Sequence, residues 1–220
     1  MHIDYLLAAF VLGIVVAIPP GSVTIIACQR ALQIGFKNSI FFTIGSSISD
    51  ILYLCLVYFG VANVIANNSS LKIGLWFISG IVLLIISGLS LIAITKKNDN
   101  NKKQNNFQSN RLSTIVSGIL VTLSNPMTIV GWIVVAGNFY LIWNEKYPDI
   151  KNYGFVTVAV IMIGVLVWFI PLTLIISKIG KMIKDKLKNV LVIIGNVFLI
   201  GFGFVAFYYA INELIKIRAV

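Results

Sequence analysis

Apolar residues gather into six long runs: Tyr5 to Gln29, Asn38 to Val61, Ile73 to Thr95, Leu112 to Ala136, Gly154 to Ser177 and Val190 to Asn212. Each reaches the roughly 20 residues that a helix needs to cross a ~30 Å hydrocarbon layer. The pattern predicts an all-α integral membrane protein with six transmembrane helices. Two runs are interrupted, the first by Ile18-Pro19-Pro20-Gly21-Ser22 and the fourth by Ser124-Asn125-Pro126. Proline lacks a backbone donor and clashes with the preceding turn, so a helix there must kink or unwind. In hydrocarbon, irregular backbone persists only where protein or a water-filled cavity satisfies its polar groups, so each break marks a candidate site.

Composition narrows the class. Hydrophobic residues make up 59% and charged residues 11% of the 220, with a mean hydropathy of +0.97, which excludes an ordinary soluble domain. The formal net charge is +10, but the basic residues lie between apolar runs without interleaved aromatics, so topology explains them and no nucleic-acid partner is expected. The start, Met1-His2-Ile3-Asp4, lacks a basic region and reads as leading into a retained first span. Cys28 and Cys55 sit in separate runs and read as buried free thiols. His2 is the sole histidine, and no second carboxylate accompanies Asp50 in the spans, so neither an enzyme, a cofactor nor a metal site is expected.

The connections sort by charge. Twelve Lys and Arg follow the first, third and fifth spans, against five on the opposite side, which predicts that both termini lie outside a bacterial cytoplasmic membrane. The Asn/Gln/Lys-rich segment 96–111 reads as a cytoplasmic linker between a first three-helix repeat, 1–95, and a second, 112–220. An odd number of spans per half means that the repeats must be inverted. Gly13 to Gly21 and Gly118 to Pro126 align without gaps at an offset of 105, with the breaker at nearly the same place in both. Paired interruptions of this kind point to a transporter binding site.

Smaller features carry packing or surface readings. Ile179, Met182, Ile183 and Leu187 among lysines suggest a short amphipathic stretch on the inner leaflet. Tyr140, Trp143, Tyr147 and Tyr153 fit an interfacial aromatic belt. Gly80, Gly88, Gly195, Gly201 and Gly203 read as close-packing positions, and Pro171 as a kink in the fifth span.

Counted from the cytoplasmic ends, Pro20, Asn125 and Asp50 lie roughly 14, 20 and 18 Å deep, all near the midplane. The half-helices that begin at Ser22 and near Met127 then aim their positive N-terminal ends at the centre, an arrangement suited to a carboxylate. Pro20, Gly21, Ser22, Ser124, Asn125, Pro126 and Thr128 are the candidate substrate-binding residues. Asp50 lies on a polar stripe with Ser39, Thr43, Ser46 and Tyr53, at gaps of 4, 3, 4 and 3 that share one helix face. A lone mid-membrane aspartate costs about 2.5–3.5 kcal/mol even on a mild insertion scale. It is expected to carry a proton or face a substrate ammonium; the alternative is a protonated acid that only bonds neighbouring helices.

These residues resemble the LysE/RhtB family of amino-acid exporters over nearly the whole chain. Pro20-Gly21-Ser22 stands where the family has Pro-Gly-Pro; Gly35-Phe36-Lys37 with Gly45, Asp50 and Gly60 is similar to its second-helix pattern. Ser124-Asn125-Pro126 through Trp132 resembles its Asn-Pro-Lys segment with a trailing tryptophan. Ser22, Met127 and Asn38 depart from it, replacing a proline, a lysine and a glycine. The resemblance implies a six-helix exporter of amino acids or related small metabolites driven by proton exchange, with the breaks and Asp50 as its transport site. The partners expected are such a metabolite, protons and the lipid bilayer, with a homo-oligomer allowed. Rocking of the two halves would give alternating access. A metal-ion or other cation exporter or channel, and a non-transporting membrane scaffold, are the competing readings.

Overall fold

The computed structural model describes residues 2–19, 21–59, 69–97 and 110–218. Pro20, Gly60 and most of the linker, residues 98–109, lie outside the described residues. Among those described, the secondary structure is helical: α1 (Ile3–Ala17), α2 (Ser22–Gln33), α3 (Phe36–Tyr58), α4 (Ser69–Lys97), α5 (Arg111–Leu123), α6 (Pro126–Lys146), α7 (Gly154–Met182) and α8 (Asp185–Arg218), with a 3-10 turn at Pro148–Tyr153. Helices α3, α7 and α8 are each long and apolar enough to cross a membrane, and α1 with α2 forms a fourth candidate bent by 73°.

Both breaks fall where the prolines demand. Helix α1 stops at Ala17, and Gly21, in extended backbone, precedes the first turn of α2. Helix α5 stops at Leu123, and Pro126 opens α6, a position where its missing N–H costs nothing. By contrast, α7 runs through Pro171 without ending, and Thr173 turns its hydroxyl back to the Phe169 carbonyl at 2.7 Å. The turns bearing Ile179, Met182 and Leu187 are not a separate surface stretch. They extend α7 and open α8, because a lysine-bearing turn can continue a helix beyond the membrane's apolar layer; Gly180 seats this end of α7 against Leu32 of α2.

Two pairs of glycines allow close helix crossings. A Cβ on Gly13 of α1 would overlap the Ile161 carbonyl of α7, and one on Gly164 of α7 would overlap the Phe10 carbonyl of α1. Likewise, Gly118 of α5 lies against the Phe42 carbonyl of α3, and Gly45 of α3 against the Ile115 carbonyl of α5. Missing side chains let the backbones approach until carbonyl oxygens touch Cα atoms. In each pair the carbonyl touched belongs to the residue three positions before the facing glycine.

Helices α4 and α8 pair along their length. Gly80 meets the Phe207 ring and Gly203 the Leu84 side chain, as close-packing glycines should, whereas Gly88 and Gly201 face open space. A polar contact lies in the same seam: fully buried Asn196 donates to Ser90 at 3.0 Å, and Ser87 donates to the Asn196 carbonyl at 3.1 Å. At one end of the bundle Tyr5 of α1 bonds Thr157 of α7 at 2.7 Å and stacks on Phe139 and near Trp143 of α6. Tyr140 packs against Tyr58 of α3, and Tyr147 donates to Asp4 at 2.8 Å. The expected aromatic belt is thus turned largely inward, closing the seam between α1, α3 and α6. At the other end Arg30 of α2 donates to Asn38 of α3 at 3.1 Å and Ser117 of α5 at 3.0 Å, above the Phe42 ring. Cys28 and Cys55 are free and half-buried.

Candidate functional site

The break between α5 and α6 exposes the last carbonyls of α5, and protein groups satisfy them. Ser124 donates its hydroxyl to the Leu120 carbonyl at 2.6 Å, and the Asn125 amide reaches Thr122 at 3.2 Å. Tyr53 of α3 donates its phenol to the Leu123 carbonyl at 2.7 Å. Asn125 precedes α6 as its cap, its carbonyl accepting from the Thr128 amide at 3.0 Å. Its side-chain amide donates to the Ser22 hydroxyl at 3.3 Å, so the first turns of α2 and α6 meet. The opening amides of α2, from Ser22 to Thr24, have no intrahelical acceptor by the geometry of a helix start.

A cavity of about 270 Å3 lies at this meeting point, close to the ~300 Å3 lower end of ligand pockets. Gly21, Ser22, Asn125 and Thr128 line it from the two breaks, and Ser46 and Asp50 from α3. Nothing lies within 4 Å of where a Gly21 Cβ would project, so that position is open. Asp50 is 9% exposed, and Trp132 of α6 donates its indole N–H to the carboxylate at 2.9 Å. Among the described residues no cation pairs with Asp50. One wall therefore offers a carboxylate, and another the partly positive starts of two helices.

Not every expected residue reaches this space. Pro20 lies outside the described residues, and the side chain of Pro126 is likewise not described. Ser124 is buried but spends its hydroxyl inside α5 rather than facing the cavity. Of the polar stripe on α3, only Ser46 and Asp50 line it. Ser39 is turned to the Ala27 carbonyl at 2.7 Å, Thr43 to the Ser39 carbonyl at 3.1 Å, and Tyr53 to the α5 terminus. Ser46 itself accepts from Thr122 at 2.8 Å. The stripe thus binds helices together more than it lines a passage.

Trp132, Val165 and Phe169 are among the lining residues that carry no signal in the polar pattern. Trp132 could have been found, since Asn125, Thr128 and Trp132 follow gaps of 3 and 4 along one face of α6. Val165 and Phe169, one turn apart on α7, could not, because an apolar side chain facing a cavity looks in sequence like one facing lipid.

The same stretch of chain that forms this site falls within a family-wide match: residues 14–210 fit the model of the LysE type translocator. The chain belongs to the LysE type translocator family. Within curated proteins it is 28% identical over 209 residues to a Bacillus subtilis (strain 168) protein named "Putative amino acid efflux protein YcgF", covering 95% of this chain and 98% of the relative. It is 26% identical over 198 residues to "Uncharacterized membrane protein slr1627" of Synechocystis sp. (strain ATCC 27184 / PCC 6803 / Kazusa), covering 85% and 90%. No solved structure matches. The family is one of translocators, not of enzymes, and membership in it implies a small-molecule substrate.

Proposed function

We propose that this translocator exports amino acids or related small metabolites across the bacterial cytoplasmic membrane in exchange for protons. The single observation that carries this reading is the convergence of Ser22, Asn125 and Asp50, from three separated stretches of chain, on one cavity. In the proposed cycle the substrate carboxylate meets the first amides of α2 and α6, flanked by Gly21, Ser22, Asn125 and Thr128. The ammonium group pairs with Asp50. After release outside, a proton takes the ammonium's place on Asp50 and leaves it on the cytoplasmic side, so one carboxylate serves substrate and proton in turn.

The chain would span the membrane six times with both termini outside, residues 1–95 and 112–220 forming inverted three-helix repeats joined by the linker at 96–111. The glycine pairs support this arrangement. Gly13 and Gly118 are offset by 105, the offset of the sequence repeat, and each meets its partner helix through the same reciprocal pattern. The printed name of the Bacillus relative supports amino acids as the substrate class.

Asp50→Asn tests the central step, because asparagine keeps the size and still accepts from Trp132. In proteoliposomes with an imposed pH gradient, the variant is expected to fold and insert but to lose proton-driven amino-acid export. Export at the wild-type rate and coupling would overturn the role of Asp50.

A further inference from the structure

We infer that the cavity selects amino acids with uncharged, apolar side chains, and that Val165 and Phe169 of α7 set that selection. The inference rests on the exporter reading and specifies its substrate. Among the described residues, Asp50 is the only charged one lining the cavity, and no cation lines it. If Asp50 holds the ammonium and the two helix starts hold the carboxylate, every charged or strongly polarising group of the site is committed to the part common to all amino acids. None remains for a lysine ammonium or a glutamate carboxylate.

The polar lining residues come from α2, α3 and α6: Ser22, Thr24, Asn125 and Thr128 from the starts of α2 and α6, beside Val23, Gly131 and Trp132, and Ser46 and Asp50 from α3. Among the described residues, those that line the cavity from α1 and α7 are all apolar: Val16 and Ala17 at the end of α1, and Val165 and Phe169 in the middle of α7. Substrate anchored at the polar walls turns its side chain toward α1 and α7. A charged side chain there would be buried without a partner, which proteins tolerate poorly. An aliphatic one fits the same surface and displaces water from it. The cavity of about 270 Å3 limits the length of that side chain, and the Phe169 ring is the largest of the α1 and α7 side chains lining it.

The test is a counterflow panel in proteoliposomes using leucine, valine, phenylalanine, lysine and glutamate as probes. Wild-type protein is expected to exchange leucine and valine, and to exchange lysine and glutamate at least tenfold more slowly. Phe169→Ala, which removes that ring and enlarges the cavity, is expected to raise phenylalanine exchange relative to leucine on the order of tenfold, the scale by which a few methylenes discriminate in an apolar pocket. Phe169→Leu, a milder change, is expected to shift the ratio in the same direction and serves if the alanine variant does not fold. Lysine or glutamate exchanging as fast as leucine overturns the substrate class while leaving the exporter reading intact. An unchanged ranking in both Phe169 variants overturns the role of α7. Failure of all five amino acids to exchange overturns the inference and the exporter reading together.

Discussion

Trp132 donates its indole N–H to the Asp50 carboxylate across 2.9 Å, joining the start of α6 to the middle of α3. It is the bond through which the second break meets the acidic group. A hydrogen bond to a charged acceptor is worth about 1.5–3 kcal/mol, and the ionised carboxylate accepts it most strongly. Trp132→Phe keeps the ring and removes the donor. Its exchange rate is expected to fall about tenfold, the scale of losing one hydrogen bond to a charged acceptor, with the substrate ranking preserved, as measured by counterflow. An unchanged rate would mean that the indole only fills space.

Tyr53 answers a different need. Its phenol satisfies the Leu123 carbonyl, which the α5 break leaves without an intrahelical donor. Tyr53→Phe strands that carbonyl, and a loss of about 1–3 kcal/mol is expected, read as a lower unfolding midpoint of the detergent-solubilised protein. Selectivity among amino acids should not change, because Tyr53 does not line the cavity.

The two glycine crossings predict matched responses. Gly13→Leu and Gly118→Leu each force a side chain into a backbone carbonyl of the neighbouring helix, where nothing flexible can yield. Both variants are expected to be destabilised by several kcal/mol or to fail to accumulate, on the scale of severe overpacking. Gly201→Leu, at a position with nothing nearby, is the control and should accumulate normally. If Gly13→Leu and Gly118→Leu behave like the control, the close crossings are wrong.

The features legible in the sequence are those whose chemistry is out of place in hydrocarbon. Prolines at 19, 20 and 126 and a carboxylate at 50 stand out because lipid cannot satisfy them, and the structure brings Ser22, Asn125 and Asp50 to one cavity. Hydroxyls were harder to read. Ser39, Thr43 and Tyr53 share the face of Asp50 by spacing, and Ser124 sits at the second break, yet each finds a carbonyl of its own or a neighbouring helix, an outlet that every serine, threonine or tyrosine in a membrane has. Asn196 carries no signal in the sequence, because a single amide among apolar residues gives no period, although it joins α4 to α8. Val165 and Phe169 carry no polar mark at all. Helix ends also ran past the apolar runs, since the membrane limits where residues are apolar and not where backbone hydrogen bonds continue.

The glycine crossings also bear on what can move. Helix α1 belongs to the first half of the chain but is seated on α7 of the second; α5 belongs to the second but is seated on α3 of the first. Each half has lent a helix to the other. Sliding residues 1–95 as a block past residues 112–220 would tear open both of these close crossings. Bodies that keep those contacts are hybrids, α1 held with α7 and α5 with α3, so residues 1–95 and 112–220 are not separately packed bodies.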